Sequence, residues 1–220
     1  MPYRAPDDLD ALTLSALMSS RLCHDLINPV GALSSGLEVL ADPSMDETMK
    51  EAAIDLIRSS AEKSVALLKY ARLAYGASGG MGAELPTEEA HAVLKAMFAW
   101  SKASLDWRIA PAHAPKDEVK SLLVVAMAAA DCAPRGGTVL IEGDAGRYSV
   151  RASGGRIIVQ DEMIRVFSGE AEDLKPKFAP HYLAGLAARM AGGGVSVEAG
   201  DGAVSFSLNF TPAAAALTAG

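Results

Sequence analysis

The sequence predicts an α+β protein in which two long helices precede a smaller domain of mixed helices and strands. Apolar residues recur with the helical period over residues 10–41 and again over residues 45–75. A glycine-rich stretch at 76–82 follows, and beyond it short alternating segments are interspersed with helical ones. These three observations divide the chain into an antiparallel helical hairpin, residues 10–76, and an α/β sandwich, residues 83–212.

Composition limits the classes of protein that fit this chain. It has 220 residues, half of them hydrophobic, and a formal net charge of −7 without any dense run of Lys and Arg, so nucleic acid is not an expected partner. The longest wholly apolar run, residues 122–130, is far shorter than the roughly 20 residues that span a bilayer, and we expect no contact with a membrane. No hydrophobic segment of a secretory signal is seen, so Cys23 and Cys132 are predicted to be reduced thiols in the cytoplasm.

The first two helices are predicted to associate beyond one chain. The first has one apolar stripe, formed by Leu22, Leu26, Val30, Leu33, Leu37 and Leu40. Pro43 ends this helix, and Ser44 with Glu47 resembles a capping box that begins the second. Each stripe is covered only in part by the partner helix, so a second copy would complete a four-helix bundle and we predict a homodimer. The alternative is a monomer in which the second domain covers the stripe.

The second domain is predicted to contain one sheet and about three helices. Thr87 is the expected cap of the first of these helices, and the Ala-rich end from Pro212 is expected to fray. The predicted elements are a helix at 87–104, a strand at 105–109, a strongly apolar helix at 116–131, strands at 138–143, 147–152 and 156–159, a helix at 181–190, and strands at 195–199 and 204–210.

The candidate functional centre is the segment Arg21-Leu22-Cys23-His24-Asp25-Leu26-Ile27-Asn28-Pro29. Successive residues of a helix turn by roughly 100°, so Arg21, His24 and Asn28 share one face, outside the apolar stripe. A lone histidine is more often a buried core residue, but the polar residues around His24 would make a poor core. We therefore interpret His24 as a residue that carries a phosphoryl group.

The residue types around His24 suit that chemistry. A neutral imidazole nitrogen can attack phosphorus and later leave, and Asp25 beside it can accept the other ring N–H. Arg21 is a candidate cation for the phosphoryl oxygens. Asp25, Arg21 and Asn28 also fit the alternative that they are ordinary solvated side chains of a helix. Cys23 and His24 point about 100° apart and make a poor nucleophilic pair, and His91, His113 and His181 lack metal-ligand spacing.

The hexapeptide His24-Asp25-Leu26-Ile27-Asn28-Pro29 resembles the H box of histidine kinases, which lies on the first helix of a dimerising hairpin. The helix at 116–131 with the turn at 134–138, and the segment 184–197, resemble parts of the GHKL ATP-binding fold of these kinases. This resemblance covers nearly the whole chain and implies a dimerisation domain followed by an ATP-binding-like domain. It also implies that Asn28 stands where such kinases often place an Asn or Thr that orients a water for phosphatase activity.

The ATP site of that family is degenerate in this sequence. Val124 and Ala128 fall where two asparagines hold Mg²⁺ and phosphate, and Ala152 falls where an aspartate reads adenine. Residues 175–181 replace the glycine-rich loop that cradles phosphates. We therefore expect neither bound ATP nor ATP-dependent kinase activity.

A histidine-bearing hairpin with a degenerate ATP-binding fold resembles the ChpT group of histidine phosphotransferases. The resemblance implies that His24 accepts a phosphoryl group from a receiver-domain aspartate of a hybrid histidine kinase and passes it to a response regulator. Mg²⁺ would belong to the receiver's acidic pocket, and this chain itself would hold no metal. The alternatives are a fragment of an ATP-dependent histidine kinase, or a non-catalytic dimeric scaffold for receiver domains.

Overall fold

A computed structural model describes residues 9–76, 84–144 and 146–211. It confirms the predicted fold class, a helical hairpin followed by an α/β sandwich. The predicted linker lies, apart from Gly76, outside the described residues, as does the C-terminal segment that was expected to fray. No helix in the described ranges is long and apolar enough to cross a membrane.

The hairpin consists of α1 (Ala11–Ala41) and α2 (Glu47–Ala74). Asp10 caps α1, because its carboxylate accepts hydrogen bonds from the backbone N–H groups of Leu12 and Thr13. Asp46 caps α2 by accepting from the N–H of Met49. The capping role predicted for Ser44 is therefore wrong: its N–H and hydroxyl both donate to Asp42 within the turn.

The two helices approach closely at Gly36. A Cβ atom there would lie 2.6 Å from Cγ1 of Ile57 and 3.2 Å from the carbonyl oxygen of Ala53. The absence of a side chain thus allows α1 to contact the backbone of α2. Because the helices are antiparallel, this contact also fixes which residues stand at the same level further along the hairpin.

The elements of the second domain in chain order are β1 (Glu84–Pro86), α3 (Thr87–Phe98), β2 (Ala103–Ile109), β3 (His113–Pro115), α4 (Lys116–Asp131), β4 (Gly137–Asp144), β5 (Arg147–Ser153), α5 (Asp161–Ser168), a 3-10 turn (Pro176–Phe178), α6 (Ala179–Met190), β6 (Gly194–Gly200) and β7 (Ala203–Asn209). Five of the strands form one sheet in the order β2-β4-β5-β7-β6, in which only the β2–β4 pair is parallel. A small antiparallel pair, β1–β3, lies apart from it.

The helices pack on one face of the sheet, and the main core lies between them. Alternate strand residues point into it and are buried, as the period of a strand requires: Val139, Ile141, Tyr148, Val150, Ala152, Val204, Phe206 and Leu208. Helix α4 supplies the opposite wall and is buried along most of its length. Each large apolar side chain removed from water in this way contributes about 1.5–3 kcal/mol.

The structure corrects four points of the prediction for the second domain. Residues 156–159 form no strand, although the N–H of Ile158 donates to the carbonyl of Cys132. The sequence reasoning missed α5, whose Met163, Val166 and Phe167 are buried with helical spacing. Helix α3 ends at Phe98, short of residue 104, and Thr87 does not cap it, because its hydroxyl donates to the carbonyl of Pro111.

The hairpin packs directly against the second domain. The hydroxyl of Tyr70 on α2 donates to the carbonyl of Leu123 on α4 at 3.4 Å. The ammonium of Lys120 donates to the carbonyl of Gly76, and the hydroxyl of Tyr182 accepts from the N–H of Leu9. These contacts hold the second domain beside the middle of α1, where the candidate site lies.

Candidate functional site

A cleft of about 340 Å³ separates the hairpin from the second domain. All four residues that the sequence singled out line it: Arg21, His24, Asp25 and Asn28. The second helix of the hairpin contributes Lys63, Tyr70 and Tyr75, and the second domain contributes Trp100, Val124, Ala128, Asp131, Lys177 and His181. The structure thus assembles the predicted residues into one site and gives it a second wall.

His24 is presented to solvent from the middle of α1. Its side chain is 76% exposed, and its Nδ1 lies 3.4 Å from Oδ1 of Asp25. This contact is long for a hydrogen bond, but the carboxylate favours the tautomer that carries the proton on Nδ1. Nε2 is then left with a free lone pair, which is the nucleophilic form of the ring.

Asp25 is shared between His24 and Arg21. Its Oδ2 accepts a hydrogen bond from Nε of Arg21 at 2.7 Å, one helical turn earlier, and both side chains are about one quarter exposed. A helix pair of this kind stabilises by only about 0.3–0.5 kcal/mol, so its main effect is positional. Arg21 is held against Asp25, and the carboxylate is held beside the imidazole.

Two tyrosines, the buried Tyr70 and the partly buried Tyr75, lie next to this pair. The rings of Tyr70 and Tyr75 meet edge to face at a centroid distance of 5.5 Å. Burial raises the pKa of Tyr75 to about 12, against a small lowering by Tyr70 and Arg21, and it raises the pKa of Tyr70 well above its usual range. Both phenols therefore keep their protons at neutral pH and add no negative charge to the cleft.

The second domain adds charge and an aromatic cluster. Asp131 is exposed at the end of α4, but the protein atoms around its carboxyl group partly desolvate it and raise its pKa, while Arg21 and Lys177 act in the opposite direction. His181 is 9% exposed, and its ring packs edge to face on Phe167 and Phe178. Burial, together with the nearby positive charges of Arg21 and Lys177, lowers the pKa of His181 to about 3, so the ring is neutral.

The sequence reasoning missed Lys63, Asp131, Lys177 and His181 as members of this site. Lys63 lies among several charged residues of α2 and is not distinguished from them by its spacing, and the segment that contains Lys177 and His181 differs from the ATP-binding family in its lack of glycines. No local pattern marks any of them. Tertiary packing alone brings them beside His24.

The positions compared with an ATP site are occupied by small or apolar side chains. Val124 and Ala128 are buried on α4 and line the cleft, and Ala152 is buried near the end of β5 between Val139 and Val204. Residues 176–178 form a 3-10 turn that leads into α6. Hydrocarbon side chains at these positions offer no ligand to a cation or a phosphate.

The remaining candidates lie elsewhere or are unreactive. Cys23 is exposed and Cys132 is buried, and burial raises the pKa of the Cys132 thiol to about 12. His91 stacks on Trp107 at 5.2 Å between ring centroids, and His113 is exposed in β3. Within the described residues, no group of three or more His, Cys, Asp or Glu side chains is placed to hold a metal ion.

The fold and this site define the class of the protein once they are compared with known families. Residues 87–203, more than half of the chain, match the family model described as the histidine phosphotransferase C-terminal domain. The chain belongs to this family of histidine phosphotransferases.

Particular members of the class are similar along almost the whole chain. Protein phosphotransferase ChpT of Brucella abortus (strain 2308) is 34% identical over 200 residues, which cover 88% of this chain and 94% of the relative. A solved structure of a bacterial phosphotransferase superposes with a TM-score of 0.82 at 32% identity, covering 93% of this chain and 99% of that one. The match includes the hairpin as well as the second domain.

Proposed function

We propose that this chain is a phosphorelay shuttle, in which His24 accepts a phosphoryl group from a receiver-domain aspartate of a hybrid histidine kinase and passes it to a response regulator. One observation carries the proposal: His24 is the exposed imidazole of the cleft, with a carboxylate at its Nδ1 and, among the residues that the structure describes, no hydrogen-bond partner at its Nε2. Membership in the histidine phosphotransferase family supports the reaction class.

The transfer step follows from this geometry. Nε2 attacks the phosphorus of the aspartyl phosphate, a P–N bond forms, and the P–O bond breaks with its electron pair left on the receiver's carboxylate. The imidazole keeps its Nδ1 proton and becomes a cation, which Asp25 stabilises from 3.4 Å. The reverse transfer to a second receiver uses the same contacts, because the phosphoryl group leaves from a cationic ring.

Arg21 and Asn28 complete the proposed catalytic group. Arg21 holds Asp25 at 2.7 Å, so we assign it mainly to orienting the carboxylate. Asn28 lines the same cleft one helical turn beyond His24, where its amide can bind a phosphoryl oxygen or a water. Mg²⁺ belongs to the receiver's acidic pocket in this proposal, and ATP takes no part.

We also propose that the two parts of the chain have different roles. Residues 10–76 carry the histidine and the dimer interface, and residues 83–212 form a domain that no longer uses ATP but supplies the second wall of the cleft. Within one chain, large apolar side chains remain exposed along one side of the hairpin: Ile27, Val30, Leu37, Ile54, Val65 and Leu68. A second copy that buried them would form the predicted four-helix bundle.

The proposal is tested by incubating the full chain with a receiver domain that carries a labelled aspartyl phosphate. We expect acid-labile label on the wild-type chain and none on a His24→Ala variant that retains its helical circular dichroism. Label that appears from ATP alone would instead indicate a histidine kinase. A wild-type chain that binds the receiver but takes no label would indicate a scaffold.

A further inference from the structure

The cleft beside His24 contains more positive than negative side chains. Its cations are Arg21, Lys63 and Lys177, and its carboxylates are Asp25 and Asp131. The cleft thus has a net positive charge although the whole chain has a net charge of −7. A cation that binds an incoming phosphoryl group must not already be occupied by another partner.

Two of the three cations already have partners. Arg21 donates to Asp25 at 2.7 Å. Lys177 donates to Oε1 of Gln160 at 3.1 Å, and its ammonium lies 5.1 Å from the centre of the Phe178 ring. Lys63 is half-buried and, among the residues that the structure describes, has no hydrogen bond or ion pair.

Lys63 also lies at a height along the hairpin from which its side chain can reach a group on His24. Gly36 of α1 lies opposite Ala53 and Ile57 of α2. Because the helices are antiparallel, moving from that contact by the same number of residues towards the start of α1 and towards the end of α2 brings Asn28 level with Lys63. Asn28 is four residues from His24, an axial distance of about 6 Å. The flexible four-carbon stem of a lysine can cover that distance and bring its ammonium to a group on the imidazole.

We infer that Lys63 is the cation that binds the phosphoryl oxygens during transfer and in phosphorylated His24, whereas Arg21 acts through Asp25. This inference rests on the proposed function of His24. An ammonium suits the task because the charge of the transferring group is spread over three oxygens, and a mobile point charge can follow it from donor to acceptor. The hairpin thus supplies the nucleophile from α1 and its counter-charge from α2.

The test compares four full-length chains: wild type, Lys63→Met, Lys63→Arg and Lys69→Met. Lys69 is an exposed lysine of the same helix that does not line the cleft, so it controls for the loss of one charge. We expect Lys63→Met to slow transfer from a labelled phospho-receiver by about 10- to 100-fold, the worth of one hydrogen bond to a charged group. Lys63→Arg should recover most of the rate, and Lys69→Met should match the wild type.

A second measurement separates this inference from the proposed function. Phosphoramidate phosphorylates histidine directly, so His24 can be labelled without a receiver and observed by ³¹P NMR. Loss of Lys63 should shift the phosphohistidine resonance and its titration with pH, and loss of Lys69 should not. A wild type that takes no label from any receiver would refute the proposed function, while the ³¹P comparison still decides the role of Lys63. Identical ³¹P spectra for Lys63→Met and wild type, or equal transfer rates, would overturn the inference.

Discussion

Oδ1 of Asp25 lies 3.4 Å from Nδ1 of His24 on the exposed side of α1. The other oxygen of the same carboxylate is held by Arg21 at 2.7 Å, so the carboxylate cannot turn away from the ring without breaking an ion pair. A carboxylate fixed in this way sets the tautomer of the imidazole before a phosphoryl group arrives. The His24 ring therefore already has its reactive tautomer and orientation in the folded chain, before a receiver binds.

Replacing Asp25 by Ala should therefore slow phosphotransfer without unfolding the chain. We expect the single-turnover rate from a phosphorylated receiver to fall by about 100-fold, because both the orientation of His24 and the stabilisation of its cation are lost. The matched control is Asp55→Ala, which removes an exposed carboxylate of α2 that pairs with Arg58 at 3.1 Å, outside the cleft. Equal rates for the two variants would show that Asp25 does not orient the ring.

The exposed apolar side of the hairpin should mediate self-association. Val65 on α2 is 50% exposed, and its replacement by Lys should place a charge in the centre of the proposed interface. We expect light scattering after size exclusion to change from the mass of two chains to that of one. Met190→Lys is the control, because Met190 is 61% exposed but lies at the end of α6 in the second domain. A wild type with the mass of one chain would contradict the dimer.

Some elements were predictable because their signals are local and strong. Helix α4 was predicted with both of its ends, since charged residues in its first turn precede an uninterrupted apolar run. Helix α5 was missed because it spans only 8 residues and follows a run of β-branched residues at 157–159 that is typical of a strand. A few residues of pattern cannot separate the two periods, and the backbone there is decided by packing on the core.

The residues of the candidate site also fall into two groups, those that spacing along the sequence predicts and those that only the tertiary structure brings together. His24, Asp25 and Asn28 share one stretch of helix, so spacing alone could place them together. Lys63 reaches the cleft from α2 through the pairing of the two hairpin helices, and Asp131 reaches it from α4 only through the docking of the second domain on the hairpin. That docking depends on contacts such as the hydrogen bond from the Tyr70 hydroxyl to the Leu123 carbonyl, and no periodic pattern in the sequence predicts such contacts.

Two glycines of α1 should respond oppositely to the same substitution. A Cβ at Gly31 would meet nothing within 4 Å, so Gly31→Ala should stabilise the folded state by up to about 1 kcal/mol through helix propensity. At Gly36 the new Cβ would lie 2.6 Å from Ile57, and forcing the helices apart should cost about 1–3 kcal/mol, more than that gain. The change in the free energy of unfolding caused by each substitution is measured by urea unfolding at equal protein concentration. A stabilised Gly36→Ala variant would mean that the helices are not so close.

His181 should make the stability of the folded chain sensitive to mild acid. Burial lowers its pKa in the folded chain to about 3, and Arg21 and Lys177 add to the effect, whereas an unfolded histidine takes its proton near pH 6.5. Between these two values the unfolded state binds more protons, so stability is complete above about pH 6.5 and falls as the pH is lowered. The expected loss approaches about 1.4 kcal/mol per pH unit, or about 2 kcal/mol between pH 6.5 and 5.

A variant that cannot titrate at this position isolates the contribution of His181. His181→Leu keeps an apolar group of similar size against Phe167 and Phe178, so we expect it to fold. Its free energy of unfolding, measured in urea at several pH values from 8 to 5, should fall less steeply than that of the wild type. The free energy of unfolding of the variant minus that of the wild type should therefore increase as the pH is lowered, whatever its value at pH 8. Parallel curves would show that the ring gains its proton in the folded chain as easily as in the unfolded one, and that the cleft is open to water at His181.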